Sequence, residues 1–256
     1  MSETIQSTIK EGILLLRFNR PEKKNAVNLA MYADLADALE RSENDSAVRV
    51  IVLTGAGGCF TSGNDIADFE SGSLAQEPNA AMRFLTALFL MKKPVIAAVI
   101  GPAIGIGTTM LLHCDLVYAG VNAVFQLPFV NLGLCPEAGS SFLLPRLAGY
   151  QRAAELLFLG EPFNAESAGE AGLVTAICPD EQVLETALEK ARHIAALPPA
   201  AVRLTKALLK RGTAVELRET MIQEATFFKE RLRSPEAREA FTAFREKRKP
   251  DFSTFL

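Results

Sequence analysis

Glu137 is the residue of this sequence whose setting is most informative about chemistry. It is a single carboxylate in a largely apolar run that begins at Pro128, and a Gly-Ser helix start follows it. Burial in such surroundings disfavours the charged form, so it would raise the pKa of Glu137 and make the side chain a usable proton carrier near neutral pH. A glutamate before a Gly-Ser turn is also typical of an ordinary surface loop. Other segments must therefore decide between the two interpretations.

A glycine-rich segment upstream offers what such a base needs as a partner. Residues 101–109 read GPAIGIGTT. Small residues allow the backbone N–H groups at a helix N-terminus to approach a ligand oxygen closely. A base beside an oxyanion site of this kind predicts proton abstraction next to a carbonyl group.

A third segment, residues 55–66, reads GAGGCFTSGNDI and follows a β-branched run that is typical of a buried strand. Together with three other landmarks in the same order, it makes the chain resemble the crotonase (enoyl-CoA hydratase/isomerase) superfamily. The resemblance runs through most of the chain. The four landmarks are RPEKKNA at 20–26, FTSGND at 60–65, KPVIAAV at 93–99, and FNA at 163–165 leading to AGLV at 171–174.

The resemblance implies a fold. It is an α/β fold, in which a crotonase-like spiral of ββα units spans residues 1–198 and an α-helical trimerisation region spans 199–256. The hydrophobic pattern agrees, because a hairpin around residues 10–12 is followed by alternating strands and helices. A helix is predicted over 105–113. From Gln151 onward the pattern is mostly helical, apart from a strand predicted over 173–177.

The resemblance also implies a reaction. Hydratases of the family place two glutamates around the substrate double bond, and the matching positions here hold Thr109 and Phe129. Neither side chain can act as a base at pH 7, so efficient hydration is not expected. The chain keeps Glu137, at the position where the Δ3,Δ2-enoyl-CoA isomerase branch carries its single catalytic glutamate. One base suffices there, because the proton leaves C2 and returns at the nearby C4.

Further site residues are carried over from the family by position. The oxyanion donors would be the backbone N–H groups of Asn64 and Ile106. Phe244 and Lys247 resemble a tail that reaches the adenine and phosphate of a coenzyme A bound to a neighbouring subunit, which implies a homotrimer or a dimer of trimers. For Lys247 the alternative is a cation that only complements its helix dipole. The remaining contacts to coenzyme A are expected from Lys23, Ala26, Ser62, Gly63, Asp65, Ile66 and Phe129.

Composition limits the partners. The chain has 256 residues, is 49% hydrophobic and carries a net charge of −3, which suits one good core and argues against a general nucleic-acid or membrane-surface binder. Four cysteines at no metal spacing predict reduced, mostly buried thiols and no metal site, with Cys135 in the pocket wall. No cofactor is expected, since coenzyme A is part of the substrate. Without a membrane span or an apolar leader, the default expectation is a cytoplasmic enzyme.

Alternatives remain open at this point. Within the superfamily, the chain could be a residual enoyl-CoA hydratase or an isomerase of a ring or polar acyl-CoA. A different class would be a non-catalytic acyl-CoA-binding or RNA-associated relative. Glu137 in an apolar setting argues against the latter, because a mere binder gains nothing by burying a charge. The far wall of the acyl pocket is expected within residues 67–85, so the acyl group itself is not predicted.

Overall fold

The computed structural model describes residues 3–70 and 79–255, without the side chains of Phe69 and Glu70. Within these residues, strands and helices alternate first and helices follow. The strands are β1 (Ile5–Lys10), β2 (Ile13–Phe18), β3 (Val50–Gly55), β4 (Val95–Val99), β5 (Pro102–Ile104), β6 (Leu116–Gly120), β7 (Val124–Gln126), β8 (Phe163–Asn164) and β9 (Ala176–Cys178).

The α-helices surround the sheets and form the C-terminal part. They are α1 (Leu29–Asn44), α2 (Ile66–Glu70), α3 (Ala80–Leu90), α4 (Ile106–Thr109), α5 (Ser140–Ala148), α6 (Tyr150–Leu159), α7 (Ala165–Glu170), α8 (Val183–Ala195), α9 (Pro199–Lys210), α10 (Ala214–Leu232) and α11 (Pro235–Glu246). Short 3-10 helices occur at Pro21–Lys23, Met110–His113, Val130–Leu132 and Asp180–Gln182.

The larger sheet has the strand order β1-β2-β3-β4-β6-β9. β1 pairs with β2 in antiparallel fashion, and the other neighbours are parallel. A parallel sheet is usually covered on both faces, which explains the continuous apolar run of β3. Ile51 and Leu53 face the main core, whereas Val50 and Val52 face α8. Helix α8 can lie close to the sheet because the residues it buries there include alanines spaced four apart, Ala187, Ala191 and Ala195.

The smaller sheet, in the order β5-β7-β8, supports the candidate site. A parallel bridge between Thr61 and Ala103 ties the loop after β3 to β5. The amide of Thr61 donates to Pro102 at 3.0 Å, and the amide of Ile104 donates to Thr61 at 3.0 Å. Two glycine-containing segments that are about 40 residues apart in sequence are thereby fixed side by side.

The predicted α/β class and the helical C-terminal region are confirmed. Three local expectations were wrong. The strand predicted over 173–177 begins only at Ala176, because Leu173 and Val174 are buried in the turn after α7 rather than in the sheet. The helix predicted over 105–113 divides into α4 and a 3-10 helix. β5 and β8 were not predicted, since strands of two or three residues carry no periodicity.

Two further expectations concern the cellular location of the protein and the wall of its acyl pocket. No helix in the described ranges combines the length and the apolar character that a membrane crossing requires. The cytoplasmic location stays a prediction. The expected acyl-pocket wall at 67–85 falls partly on residues 71–78, which lie outside the described residues.

Candidate active site

The loop that carries Glu137 turns sharply just before α5. Ala138 and Gly139 both have left-handed backbone conformations, with φ of 59° and 73°. For a residue with a Cβ this conformation costs about 1–2 kcal/mol, so surrounding contacts must hold it. The Nε2 of the buried His113 lies 2.7 Å from the carbonyl oxygen of Ala138, and the Ser140 hydroxyl donates to the Glu137 carbonyl at 2.6 Å. The loop is therefore fixed directly beside the carboxylate.

The Glu137 side chain has one hydrogen-bonding partner from a different segment. The hydroxyl of Thr109, at the end of α4, donates to Oε1 of Glu137. Burial raises the pKa of Glu137 to about 8, the Thr109 hydrogen bond opposes this rise, and the charge of Glu224 adds to it. A carboxyl group with this pKa takes up and releases a proton near neutral pH, as a general base must.

Glu224 of α10 is a second buried carboxylate in this region. It accepts hydrogen bonds from the backbone N–H of Gly139 at 2.5 Å and from the backbone N–H of Ser141 at 2.9 Å. These amides lie at the start of α5, where helical N–H groups have no partner within the helix. Burial raises the pKa of Glu224, and the hydrogen bonds from Ser141 and Gly139 oppose that rise. A side chain of the C-terminal region thus holds the loop that carries Glu137.

The two predicted oxyanion donors lie on adjacent segments. Ile106 is the first residue of α4, and Asn64 pairs with Val27 in a parallel bridge. A Cβ on Gly63 would lie 2.8 Å from the carbonyl oxygen of Ile104, so only glycine permits this close approach. Within the described residues, the backbone N–H groups of Asn64 and Ile106 donate to no acceptor. Both amides are therefore available to a ligand oxygen.

Tyr32 of α1 joins this group of residues. Its hydroxyl donates to the side-chain oxygen Oδ1 of Asn64. Burial, followed by the charges of Glu137 and Asp68, raises the pKa of Tyr32 well above its ordinary value. Tyr32 therefore stays protonated and acts as a donor that fixes the Asn64 side chain.

Two cavities meet at Asn64 and Phe228. The outer cavity has a volume of about 580 Å³, and the inner chamber has a volume of about 60 Å³. Outer-cavity residues include Lys24, Ala26, Ser62, Gly63, Asn64, Asp65, Ile66, Ile106, Phe129, Phe228 and Phe244. Inner-chamber residues are Tyr32, Asn64, Asn79, Ala81, Met82, Leu85, Glu137, Ala138, Met221, Ala225, Phe228 and Lys229. Of the two predicted oxyanion donors, Asn64 thus lies at the junction and Ile106 lines the outer cavity, whereas Glu137 lies in the inner chamber.

The structure brings together most of the residues predicted to bind coenzyme A. Those that line the outer cavity are Ala26, Ser62, Gly63, Asp65, Ile66, Phe129 and Phe244. The side chain of Asp65 pairs with Arg20 at 2.5 Å. Burial would raise the pKa of Asp65, but the hydrogen bond and charge of Arg20 hold it below its usual range. Asp65 therefore stabilises the loop as a charged group, and its role toward a ligand stays a prediction.

Three predicted residues do not line either cavity. Lys24, not Lys23, lines the outer cavity, because the backbone turns into the left-handed region at Lys24 with φ of 49°. Lys247, the residue after α11, is exposed and does not line the outer cavity of its own chain, and its expected contact with a coenzyme A of a neighbouring subunit stays a prediction. Cys135 lies outside both linings, and burial raises the pKa of its thiol to about 11.

Phe244 and the four cysteines complete the list of predicted residues. Phe244 is 60% exposed at the rim of the outer cavity of its own chain. The expected contact with a neighbouring subunit stays a prediction. All four cysteine thiols are free: Cys59 is buried and the other three residues are partly buried. Burial raises the pKa of the Cys114 thiol to about 12.

Comparison with known proteins decides the family. The sequence profile described as enoyl-CoA hydratase/isomerase matches residues 8–254. The chain belongs to this family, within the crotonase superfamily. Its spiral core is also found in solved relatives: the structure of Pseudomonas aeruginosa OdaA superposes with a TM-score of 0.93 at 50% identity, covering 95% of this chain and 99% of that one.

Two curated relatives in the family carry isomerase names. The chain is 37% identical over 260 residues to 1,2-epoxyphenylacetyl-CoA isomerase of Escherichia coli (strain K12), covering 99% of both proteins. It is 36% identical over 249 residues to enoyl-CoA delta isomerase 2 of Rattus norvegicus, covering 95% of this chain and 63% of that protein. As a member of the enoyl-CoA hydratase/isomerase family, the chain is an enzyme of isomerase or hydratase type.

Proposed function

We propose that this enzyme is a Δ3,Δ2-enoyl-CoA isomerase, which converts a 3-enoyl-CoA into a 2-trans-enoyl-CoA during the degradation of fatty acids or related acyl groups. One observation carries the proposal. Among the described residues that line the inner chamber, Glu137 supplies the only carboxylate, and the oxyanion donor Asn64 lines the same chamber. The similarity to enoyl-CoA delta isomerase 2 supports the same reaction.

The mechanism follows from this geometry. The thioester oxygen of the substrate accepts hydrogen bonds from the backbone N–H groups of Asn64 and Ile106. Glu137 removes a proton from C2, and the negative charge moves to the thioester oxygen. Two amide donors stabilise this enolate, and the loss of one such donor costs about 3–4 kcal/mol of barrier. The protonated Glu137 then returns the proton to C4.

The site argues against hydration as the main reaction. Adding water across a double bond requires a positioned water and an acid–base pair around C2 and C3. Thr109 is fully buried and its hydroxyl is engaged with Glu137, and Phe129 is a buried apolar wall of the outer cavity. These two positions therefore favour transfer of a proton within the substrate and the exclusion of water.

An isomerase of a ring-bearing or polar acyl-CoA is the second candidate. The similarity to 1,2-epoxyphenylacetyl-CoA isomerase along 99% of both chains favours it. The same base and oxyanion donors would serve any such reaction that begins with removal of a proton from C2 next to the thioester. The choice between the two candidates depends on which acyl group the inner chamber accepts.

The assembly expected with this function is a homotrimer or a dimer of trimers. Helices α9 and α10 expose large apolar side chains, and such patches are typical of protein interfaces. These exposed residues are Leu204, Leu208, Leu209, Val215, Ile222 and Phe227. Sedimentation velocity at micromolar concentration should give a trimer or hexamer. A monomer under these conditions would contradict the proposed assembly.

The reaction is tested by product analysis. The purified protein should be incubated separately with 3-enoyl-CoA and 2-enoyl-CoA of several chain lengths, and with an epoxide of phenylacetyl-CoA. Isomer and hydroxyacyl products are followed separately by mass-resolved chromatography. The proposal expects 2-trans-enoyl-CoA from 3-enoyl-CoA as the fastest reaction. A faster conversion of the epoxide would favour the second candidate, and a faster formation of hydroxyacyl-CoA would overturn both.

A further inference from the structure

The contact between Thr109 and Glu137 assigns a role to a residue that the family resemblance presents only as a lost glutamate. Thr109 is completely buried, and its hydroxyl donates to Oε1 of Glu137. A threonine on a helix ordinarily donates to the carbonyl four residues earlier, which here is Gly105. That carbonyl already accepts the backbone N–H groups of Thr108 and Thr109, at 2.9 and 3.0 Å. The hydroxyl of Thr109 points instead at the base.

The neighbouring threonine provides a comparison within the same helix. The hydroxyl of Thr108 is also buried, but it contacts backbone carbonyls, those of Ala103 and, at 3.1 Å, Gln126. Thr108 therefore joins α4 to the smaller sheet. A hydroxyl has one proton to donate, so Thr109 can fix only one acceptor at a time, and in this structure that acceptor is Glu137.

We propose that Thr109 is a positioning residue of the reaction: its hydroxyl fixes Oε1 of Glu137 and thereby presents Oε2 to the C2 and C4 positions of the bound acyl group. This inference rests on the proposed function. A base that serves two carbon atoms must keep one oxygen between them during proton removal and return, and small errors of placement have large effects on such steps. The hydrogen bond from Thr109 to Oε1 restricts rotation of the Glu137 carboxylate about its terminal C–C bond.

The charged and titratable neighbours of Glu137 define what a pH measurement will report. Tyr32 on α1, Glu224 and Lys229 on α10, His113 before β6 and Cys135 in the same loop surround it. Burial raises the pKa of Tyr32 and Cys135 and lowers the pKa of His113 to about 4, so these three stay neutral near pH 7. Changes between about pH 6 and 9 in the acidic limb of the profile of kcat/KM against pH then report on the carboxyl groups and on Lys210, whose pKa burial lowers to about 8 and whose charge acts on His113. A direct titration of Glu137 separates the two contributions.

The test compares Thr109→Val, which keeps the shape without the hydroxyl, with Thr109→Ser, which keeps the hydroxyl. We expect Thr109→Val to lose about 10-fold to 100-fold in kcat for 3-enoyl-CoA, with KM changed by less than about threefold. Its acidic limb in kcat/KM should move to higher pH by roughly 1 unit, because the lost hydrogen bond favours the carboxylate. Thr109→Ser should have a kcat close to that of the wild type, and the acidic limb of its profile of kcat/KM against pH should lie at the wild-type position.

A control variant and an NMR titration, which needs no substrate, allow the role of Thr109 to be tested independently of the proposed isomerase reaction. Thr226→Val removes an exposed helical hydroxyl that bonds to Ile222 at 3.0 Å, and it should behave like the wild type. The carboxyl of Glu137 can be titrated by carbon-13 NMR, with Glu137→Gln identifying its signal. Thr109→Val should raise this pKa even if another acyl-CoA is the substrate.

Two results would overturn the proposal. An unchanged Glu137 titration and rate in Thr109→Val would mean that the hydroxyl does not act on the base. A Thr109→Ser variant as slow as Thr109→Val would mean that the methyl group, through packing, is what matters. If Thr109→Val does not fold, Thr109→Ala replaces it in the same comparison. Failure of the wild type to isomerise any 3-enoyl-CoA would count against the proposed function only.

Discussion

Glu224 of α10 accepts hydrogen bonds from both the backbone N–H and the hydroxyl of Ser141, at 2.9 and 2.5 Å. The same helix contributes Met221 and Phe228 to the inner chamber. The C-terminal helical region therefore completes the candidate active site in addition to any role in assembly. Substitutions on the inner face of α10 are expected to alter catalysis and not only stability.

Glu224→Gln tests this connection. Removal of the negative charge should lower the pKa of Glu137, because the Glu224 charge raises it. The acidic limb of kcat/KM should then move to lower pH. The unfolding temperature should also fall, since an amide cannot accept the hydrogen bonds of both Gly139 and Ser141 as the carboxylate does. Glu219→Gln, on the exposed face of the same helix, is the control. An acidic limb that stays in place in Glu224→Gln would contradict the proposed electrostatic link.

The stability advantage of Glu137→Gln over the wild type should increase as the pH rises. The pKa of Glu137 is raised to about 8 in the folded protein from an ordinary 4.5. The folded state therefore binds more protons than the unfolded state between these values, so the stabilisation is full below about pH 4.5, falls progressively as the pH rises and is lost above about pH 8. Glu137→Gln avoids this loss, so relative to the wild type it should be more stable at pH 9 by on the order of 5 kcal/mol, and at pH 5 by only about 1 kcal/mol. Thermal unfolding at both pH values provides the measurement, and a constant difference would argue against a buried, proton-sensitive carboxyl group.

Hydration of 2-enoyl-CoA by the wild type should be orders of magnitude slower than isomerisation of 3-enoyl-CoA. The physical reason is that Thr109 and Phe129 supply no acid–base pair for an added water. Both rates can be measured on one preparation, with a matched chain length and separate detection of hydroxyacyl-CoA. Comparable rates would replace the isomerase assignment by a hydratase assignment.

The family resemblance predicts that Phe244 contacts the nucleotide end of a coenzyme A bound to a neighbouring subunit, and its ring is exposed. Deletion of the residues after Phe241 should raise KM for coenzyme A thioesters, with a smaller effect on pantetheine thioesters, which lack the nucleotide. Phe244→Ala should show part of the same difference. Phe158→Ala, which removes a 68% exposed ring on α6, is the matched control. Equal effects on the two substrate types would mean that the tail supports only the fold.

Contiguous motifs made much of this protein predictable from its sequence. The two glycine-rich segments and the loop of Glu137 each keep their key residues within about ten positions, so Asn64, Ile106 and Glu137 could be named as candidate site residues from the sequence. The apolar strands were equally visible, because β3 and β4 are buried on both faces.

Contacts between distant segments were not predictable in this way. Tyr32 reaches Asn64 across 32 positions, and Glu224 reaches Gly139 across 85. One signal for Glu224 was present: it lies on the same helical stripe as Leu217 and Met221, where a charged residue is unusual. The sequence did not indicate that Lys24, rather than the predicted Lys23, would line the outer cavity. The left-handed backbone at Lys24 causes this difference, and lysine as a residue type does not favour that conformation.

The most direct test of the central claim is the turnover of 3-enoyl-CoA by Glu137→Gln. The substitution keeps the shape of the side chain and removes the proton acceptor. We expect a loss of at least about 100-fold in kcat, with the dissociation constant for coenzyme A measured by calorimetry within about twofold of the wild type. A variant that retains more than about a tenth of wild-type turnover would contradict the account, and the role of the base would then pass to another carboxylate such as Asp68, whose pKa burial also raises.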